Sequence, residues 1–454
     1  MEHPYPDLPD IPPLPLLIPA FQPTISNQQY PAPQAAAQHW RIAAQQTLID
    51  GLRVLRTDHS SGAKELATNA VTTLVRVAEI VGEGLVGEVK AGRDGPALKE
   101  EKEEEWWDIT RRAGWVMATY GRPSMGAAVT AAIVKGLDRR YLGLRQVLLG
   151  EGSRGAGLAV QTGSTKLRND DDDGKEVVLS AMRNLQSYLR QRVEGVQSQV
   201  GVQLRNFLRR KFCRDTDKHS AGQKRVVNIL TLSSSSTIRR ALITMLQMEC
   251  KQQEEQSAGE RLAVHLKIME SRPLCEGVAL ARALVSGAET LGYKDYLSIE
   301  IASDASVALL ARDVDVVLLG ADRITDKGDV SNKTGSLAAT LCAKGLSDNV
   351  TIVAVSELEK VAKPGTMEEH VEEDNDVSEL VVAWGDQVDE EIRSEMWQAM
   401  VSIRNVYFEW VPAGYIDHYI CETGILDVKG ISEQSQRVLE LEQQAFGGLS
   451  TPTK

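Results

Sequence analysis

The sequence predicts an α/β protein in which a helical amino-terminal part precedes a domain built on an open parallel sheet. Two observations carry this expectation. From about Ala36 to Arg214, apolar residues recur at three- and four-residue spacing, the period of an amphipathic helix. After about Lys224, short β-rich runs alternate with segments of helical spacing, and such alternation implies right-handed βαβ crossovers. A chain of 454 residues is also too long for one ordinary core.

Ten of the sixteen prolines fall within residues 1–33, so residues 1–35 are expected to be a disordered, proline-rich tail. The helical domain is placed at 36–214. It opens with Trp40, Ile42, Ala43, Leu48 and Ile49 and continues with Leu66, Ala70, Leu74, Val75, Val77 and Ala78. Two polar stretches, residues 91–105 and 150–176, break the pattern and read as solvent-exposed insertions. The four aspartates Asp170 to Asp173 in the second are read as a solvated loop rather than a metal site.

The sheet domain is placed at 224–446. Its runs are 226–232, 262–269, 297–302, 314–319, 350–355 and 406–411. Helical spacing separates the first five, over Thr237 to Gln253, Val278 to Leu291, Ala305 to Arg312 and Leu337 to Leu346. In an open parallel sheet, ligands bind beyond the carboxyl ends of the strands. Those ends carry Ser233 to Ser236 after the first run, Glu270, Ser271 and Arg272 after the second, Ser303 and Asp304 after the third, and Asp322 with Arg323 after the fourth. Each cluster has a plain alternative as a cap or local ion pair. Four clusters at four strand ends favour a pocket.

Residues 314–346 read as a buried strand ending at Gly320, a charged loop, and a helix starting near Thr334, Gly335 and Ser336. Free backbone N–H groups at that helix end, with Lys333 beside them, would suit a phosphate. An ordinary connection with solvated Asp322, Arg323 and Lys333 competes equally.

Net charge is −12 and the sequence pI is about 5.3, which argues against nucleic acid or an anionic membrane as partner. No run of 18 apolar residues occurs, and MEHPYPDLPD lacks both a basic and an apolar leader region, so a cytoplasmic protein is expected. The five cysteines are scattered without a C-x-x-C spacing, and the seven histidines show no helical pairing. Neither a metal nor another cofactor is expected.

Six segments together resemble the family of the regulatory alpha, beta and delta subunits of initiation factor 2B, which is related to methylthioribose-1-phosphate isomerase and ribose-1,5-bisphosphate isomerase. They are SSGAKELATNAV (60–71), GRPSMGAAVTAAIV (121–134), ESRPLCEG (270–277), IASDAS (301–306), GADRITDKGDVSNKTGSLAATLCAK (320–344) and VYFEWVPAGYIDHYICETGIL (406–426). The resemblance spans roughly residues 40 to 446. It implies a Rossmann-like carboxyl-terminal domain with a mostly parallel sheet, through which a homodimer forms. It further implies a phosphorylated sugar or nucleotide as ligand and translation initiation factor subunits as partners. By motif, Arg122 would bind the substrate phosphate, Arg272 would line the rim, and Asn332 with Lys333 would hold sugar oxygens or phosphate. Asp322 takes the catalytic aspartate position.

Ser233 stands where the isomerases of this family carry a cysteine. An aldose–ketose isomerisation through an enediol needs an acid/base group within reach of neutral pH. A thiol near ~8.5 can be tuned there, and an unactivated serine hydroxyl cannot. The regulatory subunits also lack the cysteine but generally do not keep both the aspartate and the Asn-Lys pair. This chain keeps both. Two readings follow: a regulatory, initiation factor 2B-like binder of a sugar phosphate or nucleotide, and an active isomerase in which Asp322 and a water replace the thiol.

Overall fold

A computed structural model describes residues 4–22, 33–58, 62–89, 96–144, 173–194, 197–213, 224–254, 260–365, 375–385 and 395–450. The chain divides into two compact units. One comprises Met1–Arg122, Val129–Glu194 and Glu440–Lys454, and the other Pro123–Ala128 and Gly195–Leu439.

The first unit is helical, with long helices Pro33–Thr57, Ala63–Val89, Pro96–Tyr120 and Asp173–Glu194. On Pro33–Thr57 the buried stripe is Trp40, Ala44, Leu48, Leu52 and Leu55. Ile42, two positions and about 200° from Trp40, lies on the opposite face and is 67% exposed. This helix meets Ala63–Val89 closely at two glycines: a Cβ on Gly51 would come within 2.3 Å of Thr73, and one on Gly84 within 2.3 Å of the Trp40 ring.

Residues 96–105, expected as part of an exposed insertion, are instead the first turns of Pro96–Tyr120. Proline suits a helix start, and Ala, Leu, Lys and Glu are strong helix formers. Lys102 pairs with Glu105 at 2.8 Å, and Arg139 reaches Glu104 at 2.6 Å. Trp106, fully buried one turn on, donates from Nε1 to the Ala78 carbonyl at 2.9 Å. Of the second insertion, Asp173 begins the helix Asp173–Glu194, and residues 150–172 lie outside the described residues.

The proline-rich start also differs from a free tail over residues 4–22. Tyr5, Leu8, Ile11, Leu14, Leu17, Ile18 and Phe21 are buried. Asp7 receives two hydrogen bonds from Arg53, at 2.5 and 3.2 Å, and Asp10 one from Arg56 at 2.7 Å. Prolines restrict the unfolded chain, so ordering the apolar residues between them costs less entropy than composition suggests.

Among the described residues, the second unit holds ten strands: β1 (Lys224–Leu232), β2 (Arg261–Met269), β3 (Leu297–Ala302), β4 (Val316–Leu319), β5 (Arg323–Ile324), β6 (Val330–Lys333), β7 (Thr351–Val355), β8 (Phe408–Val411), β9 (His418–Cys421) and β10 (Gly424–Leu426). Seven form one sheet in the order β10-β9-β7-β4-β1-β2-β3, parallel except for β10. The order reverses between β1 and β4, which is the switch point where ligands bind in such sheets. β5, β6 and β8 make a small antiparallel sheet, so the run at 406–411 does not extend the parallel one.

β4 shows why its sequence is apolar without alternation. Val316 and Leu318 enter a core on one face, under helices Gln197–Phe212, Ser236–Glu254 and Glu276–Leu291. Val317 and Leu319 enter a second core with Ala339, Ala343 and Ile431. Both faces are covered, as the sequence predicts. The helix Gln197–Phe212 contributes Val200, Leu204, Phe207 and Leu208 to the first of these cores.

Candidate functional site at the strand ends

The switch point is tied together by a side chain of β1 and the backbone of β4. Thr231 Oγ1 donates to the Leu318 carbonyl at 2.9 Å. Gly320 follows β4 where a Cβ would lie 3.1 Å from both Asn332 Oδ1 and Ser235 Oγ, so its small size lets three segments converge.

Ser233 follows β1 in the left-handed region at φ 63°, and Ser271 and Cys275 after β2 sit there too at 58° and 51°. Non-glycine residues in this region carry a cost of order 1–3 kcal/mol each. Compensating hydrogen bonds hold them. The Ser233 N–H donates to Ser271 Oγ at 2.7 Å, and Asp304 accepts from the N–H groups of Ser271 and Arg272 at 2.9 and 2.8 Å. Gly277 completes the turn: a Cβ there would stand 2.0 Å from the Met269 carbonyl oxygen.

The buried Ser233 hydroxyl donates to Glu276 Oε2 at 2.9 Å. Glu276 Oε1 lies 3.3 Å from Lys333 Nζ, and the two side chains are 27% and 20% exposed. Lys333 is further held over the rings of Tyr407 and Phe408, at 4.4 and 4.8 Å from their centroids. Glu276 occupies the first turn of Glu276–Leu291, where the helix dipole favours a carboxylate. Ser233, Glu276 and Lys333 therefore form one continuous network. Sequence reasoning selected its two ends and missed Glu276. The available signal was an acidic residue at a helix start, directly after a polar strand end.

Asn332 is buried, and its amide donates to Ser336 Oγ at 2.9 Å, so it braces the loop below Lys333. The Asp322 N–H pairs with the Ser331 carbonyl at 2.8 Å, while its half-buried carboxylate makes no hydrogen bond or ion pair with any described residue. Arg272 is 54% exposed, with Nε donating to Glu270 at 3.0 Å. Arg122 belongs to the helical unit, where it is buried and donates to the Asp58 carbonyl at 3.0 Å.

The helix Ser336–Leu346 begins where the sequence predicts, yet its end is not open to an anion. Glu409 of β8 accepts from the N–H groups of Gly335 and Leu337 at 2.7 and 2.8 Å. The β6–β8 register, pairing Asn332 with Glu409, delivers that carboxylate from 72 residues away.

A small cavity of about 20 Å³, enough for a water, is lined by Ser271, Arg272, Glu276, Lys333 and Tyr407 among others. Beside it, an open cavity of about 500 Å³ is lined by Arg272, Leu274, Cys275, Glu379 and Val382 among others. Tyr407 donates its hydroxyl to Glu379, linking the two walls. Among the described residues, no three His, Cys, Asp or Glu side chains are placed to hold a metal, and no helix is long and apolar enough to cross a membrane.

The pattern of the initiation factor 2 subunit family matches residues 164–428, more than half of the chain. The chain belongs to this family. A methylthioribose-1-phosphate isomerase of Geotalea uraniireducens is 31% identical over 189 residues, 40% of this chain and 47% of that protein. A ribose 1,5-bisphosphate isomerase of Methanocaldococcus jannaschii is 27% identical over 161 residues, 36% of this chain and 46% of that protein. A putative translation initiation factor eIF-2B subunit 2-like protein of Pyrococcus furiosus is 29% identical over 160 residues, 35% and 47% of the two chains. The matches thus span less than half of each of these relatives. Among solved structures, translation initiation factor eIF-2B of Pyrococcus horikoshii aligns at a TM-score of 0.45 and 19% identity, covering 84% of this chain and 96% of that one. The beta subunit of eIF2B from Chaetomium thermophilum aligns at 0.49 and 11% identity, covering 90% and 96%.

Proposed function

We propose that this member of the initiation factor 2 subunit family binds a phosphorylated pentose or a nucleotide at the strand-end rim of its sheet unit, and that the bound state has a regulatory output. The observation that carries the reading is Lys333, an ammonium fixed between a carboxylate and two ring faces at the edge of a cavity. Asp322, in the connection between β4 and β5, offers sugar hydroxyls a carboxylate that makes no hydrogen bond or ion pair with any described residue. The neighbouring cavity, about 500 Å³, falls in the size range of small-molecule sites. Arg272 and Asn332 are assigned to the rim. The protein acts as a cytoplasmic homodimer or with initiation factor subunits, and light scattering of the purified chain alone and mixed with those subunits tests this.

The binding test is thermal unfolding with methylthioribose 1-phosphate, ribose 1,5-bisphosphate and a nucleoside monophosphate. A true ligand at 100 times its dissociation constant stabilises the fold by about 2.7 kcal/mol. No shift with any of the three sinks the reading.

A second reading is an aldose–ketose isomerase acting on one of these pentoses. It is favoured by Glu276, which places a carboxylate against Ser233 and on the cavity wall. Incubation with each sugar phosphate and detection of the ketose separates the two readings: binding without product leaves the regulator.

A further inference from the structure

We propose that Glu276 is the carbon acid/base of this site and that Ser233 is a positioning residue acting through it. The inference rests on the isomerase reading. It starts from which groups face the cavity. Glu276 lines it and Ser233 does not. The Ser233 hydroxyl is spent as a donor to Glu276 Oε2 at 2.9 Å, and Ser233 itself is buried, with its N–H on Ser271 Oγ. A hydroxyl so placed does not take a proton from a substrate carbon. It orients the carboxylate, as does Lys333 on the other oxygen at 3.3 Å. Glu276 is thus fixed at both oxygens, partly exposed and on the cavity wall, the placement required of a general base.

A single glutamate can carry a proton between adjacent carbons, provided a second group serves the oxygens. With the cyclic sugar 1-phosphate bound, Glu276 takes the proton from C2, the hydroxyl-bearing carbon beside the anomeric carbon. The C2–H electron pair becomes the C1=C2 bond of an enol phosphate as the bond from C1 to the ring oxygen breaks, and the ring oxygen takes up the negative charge beside Lys333. Asp322 accepts the C2 hydroxyl proton and hands it to the ring oxygen. The C2 oxygen then forms the ketone carbonyl, and Glu276 returns its proton to C1, which keeps its phosphate. One proton has moved between carbons and one between oxygens. No oxidant, reductant or metal enters the balance.

The experiment uses the full chain with methylthioribose 1-phosphate and ribose 1,5-bisphosphate, following ketose formation across pH and ligand binding by thermal shift. Glu276→Gln, which keeps shape and removes basicity, is expected to lower kcat by about 10²–10⁴-fold with the thermal shift retained. Ser233→Ala leaves the base in place without its orienting hydroxyl, so kcat should fall by about tenfold while KM and the thermal shift stay unchanged. A merely structural Ser233 would lose binding along with turnover. Turnover by Glu276→Gln within about threefold of the parent, or a Ser233→Ala variant whose binding falls in step with kcat, overturns the proposal while leaving the isomerase reading intact. Absence of ketose from the parent protein with both sugars removes the isomerase reading and this proposal together, and ligand binding is then read on its own.

Discussion

The rim of the sheet has two sides built from the same residue types and put to different uses. Beyond β1, β2 and β6, Glu276 is partly exposed, bonded to a hydroxyl and an ammonium, and faces a cavity. Beyond β7 and β9, Glu357 is buried and Glu422 half-buried. Glu357 accepts from the Thr237 hydroxyl at 2.8 Å, and Glu422 accepts from the Leu358 N–H at 3.0 Å. Burial pushes the Glu422 carboxyl above the usual range, and the neighbouring carboxylates of Glu357 and Glu359 push the same way. A carboxylate with a cation and water access is available for proton chemistry. One closed in by burial and like charge serves to join strand ends. Surroundings, rather than residue type, divide the two sides.

Four substitutions test this division, beginning with the largest expected effect. Gly277→Ala drives a Cβ into the Met269 carbonyl at 2.0 Å and should destabilise the protein by about 3 kcal/mol or more, read by urea unfolding. It breaks the turn that carries Ser271 and Glu276 and leaves the β7–β9 side untouched. On that other side, Thr237→Val strips Glu357 of a buried hydroxyl donor. A loss of about 1–3 kcal/mol in the same assay is expected. A loss near zero would mean that the hydroxyl is dispensable there.

Glu409→Ala uncovers the N–H groups of Gly335 and Leu337 and should cost about 1 kcal/mol. It also opens the helix end to anions. Millimolar inorganic phosphate should then raise the Tm of the variant more than that of the parent, and equal shifts would show that Glu409 does not guard this end.

The smallest effect is a change of slope. Because the Glu422 carboxyl is raised on folding, the native state holds its proton when the unfolded chain has released it. Stability should therefore fall as pH rises from the ordinary glutamate range, about 4.3, to the folded value, and level off above it. Glu422→Gln should flatten that part of the curve. An unchanged slope in urea titrations would place the linkage elsewhere.

What could be read in advance followed from periodicity. The unbroken apolar run at β4 reports a strand covered on both faces, and the alternation after Lys224 reports the crossovers. Ser233, Asn332 and Lys333 were reached because strand ends and a motif pointed to them. Where the reading differed, long-range contacts decided. Residues 96–105 look like an exposed polar stretch, yet they start a helix anchored by Trp106. Residues 4–22 look unfoldable, but their apolar residues are buried and their acidic residues meet Arg53 and Arg56.

The amino-acid order alone determined the helical part, the parallel sheet and the strand ends at which chemistry-bearing residues gather, since these depend on spacings of two to four residues. The contacts of those residues were decided only by tertiary structure. Glu409 reaches the helix end through strand pairing across 72 positions, and Glu276 reaches Ser233 across 43. Local period carries no information about partners that far apart. Whether a helix end is open, or a serine has a base beside it, is a property of the folded chain.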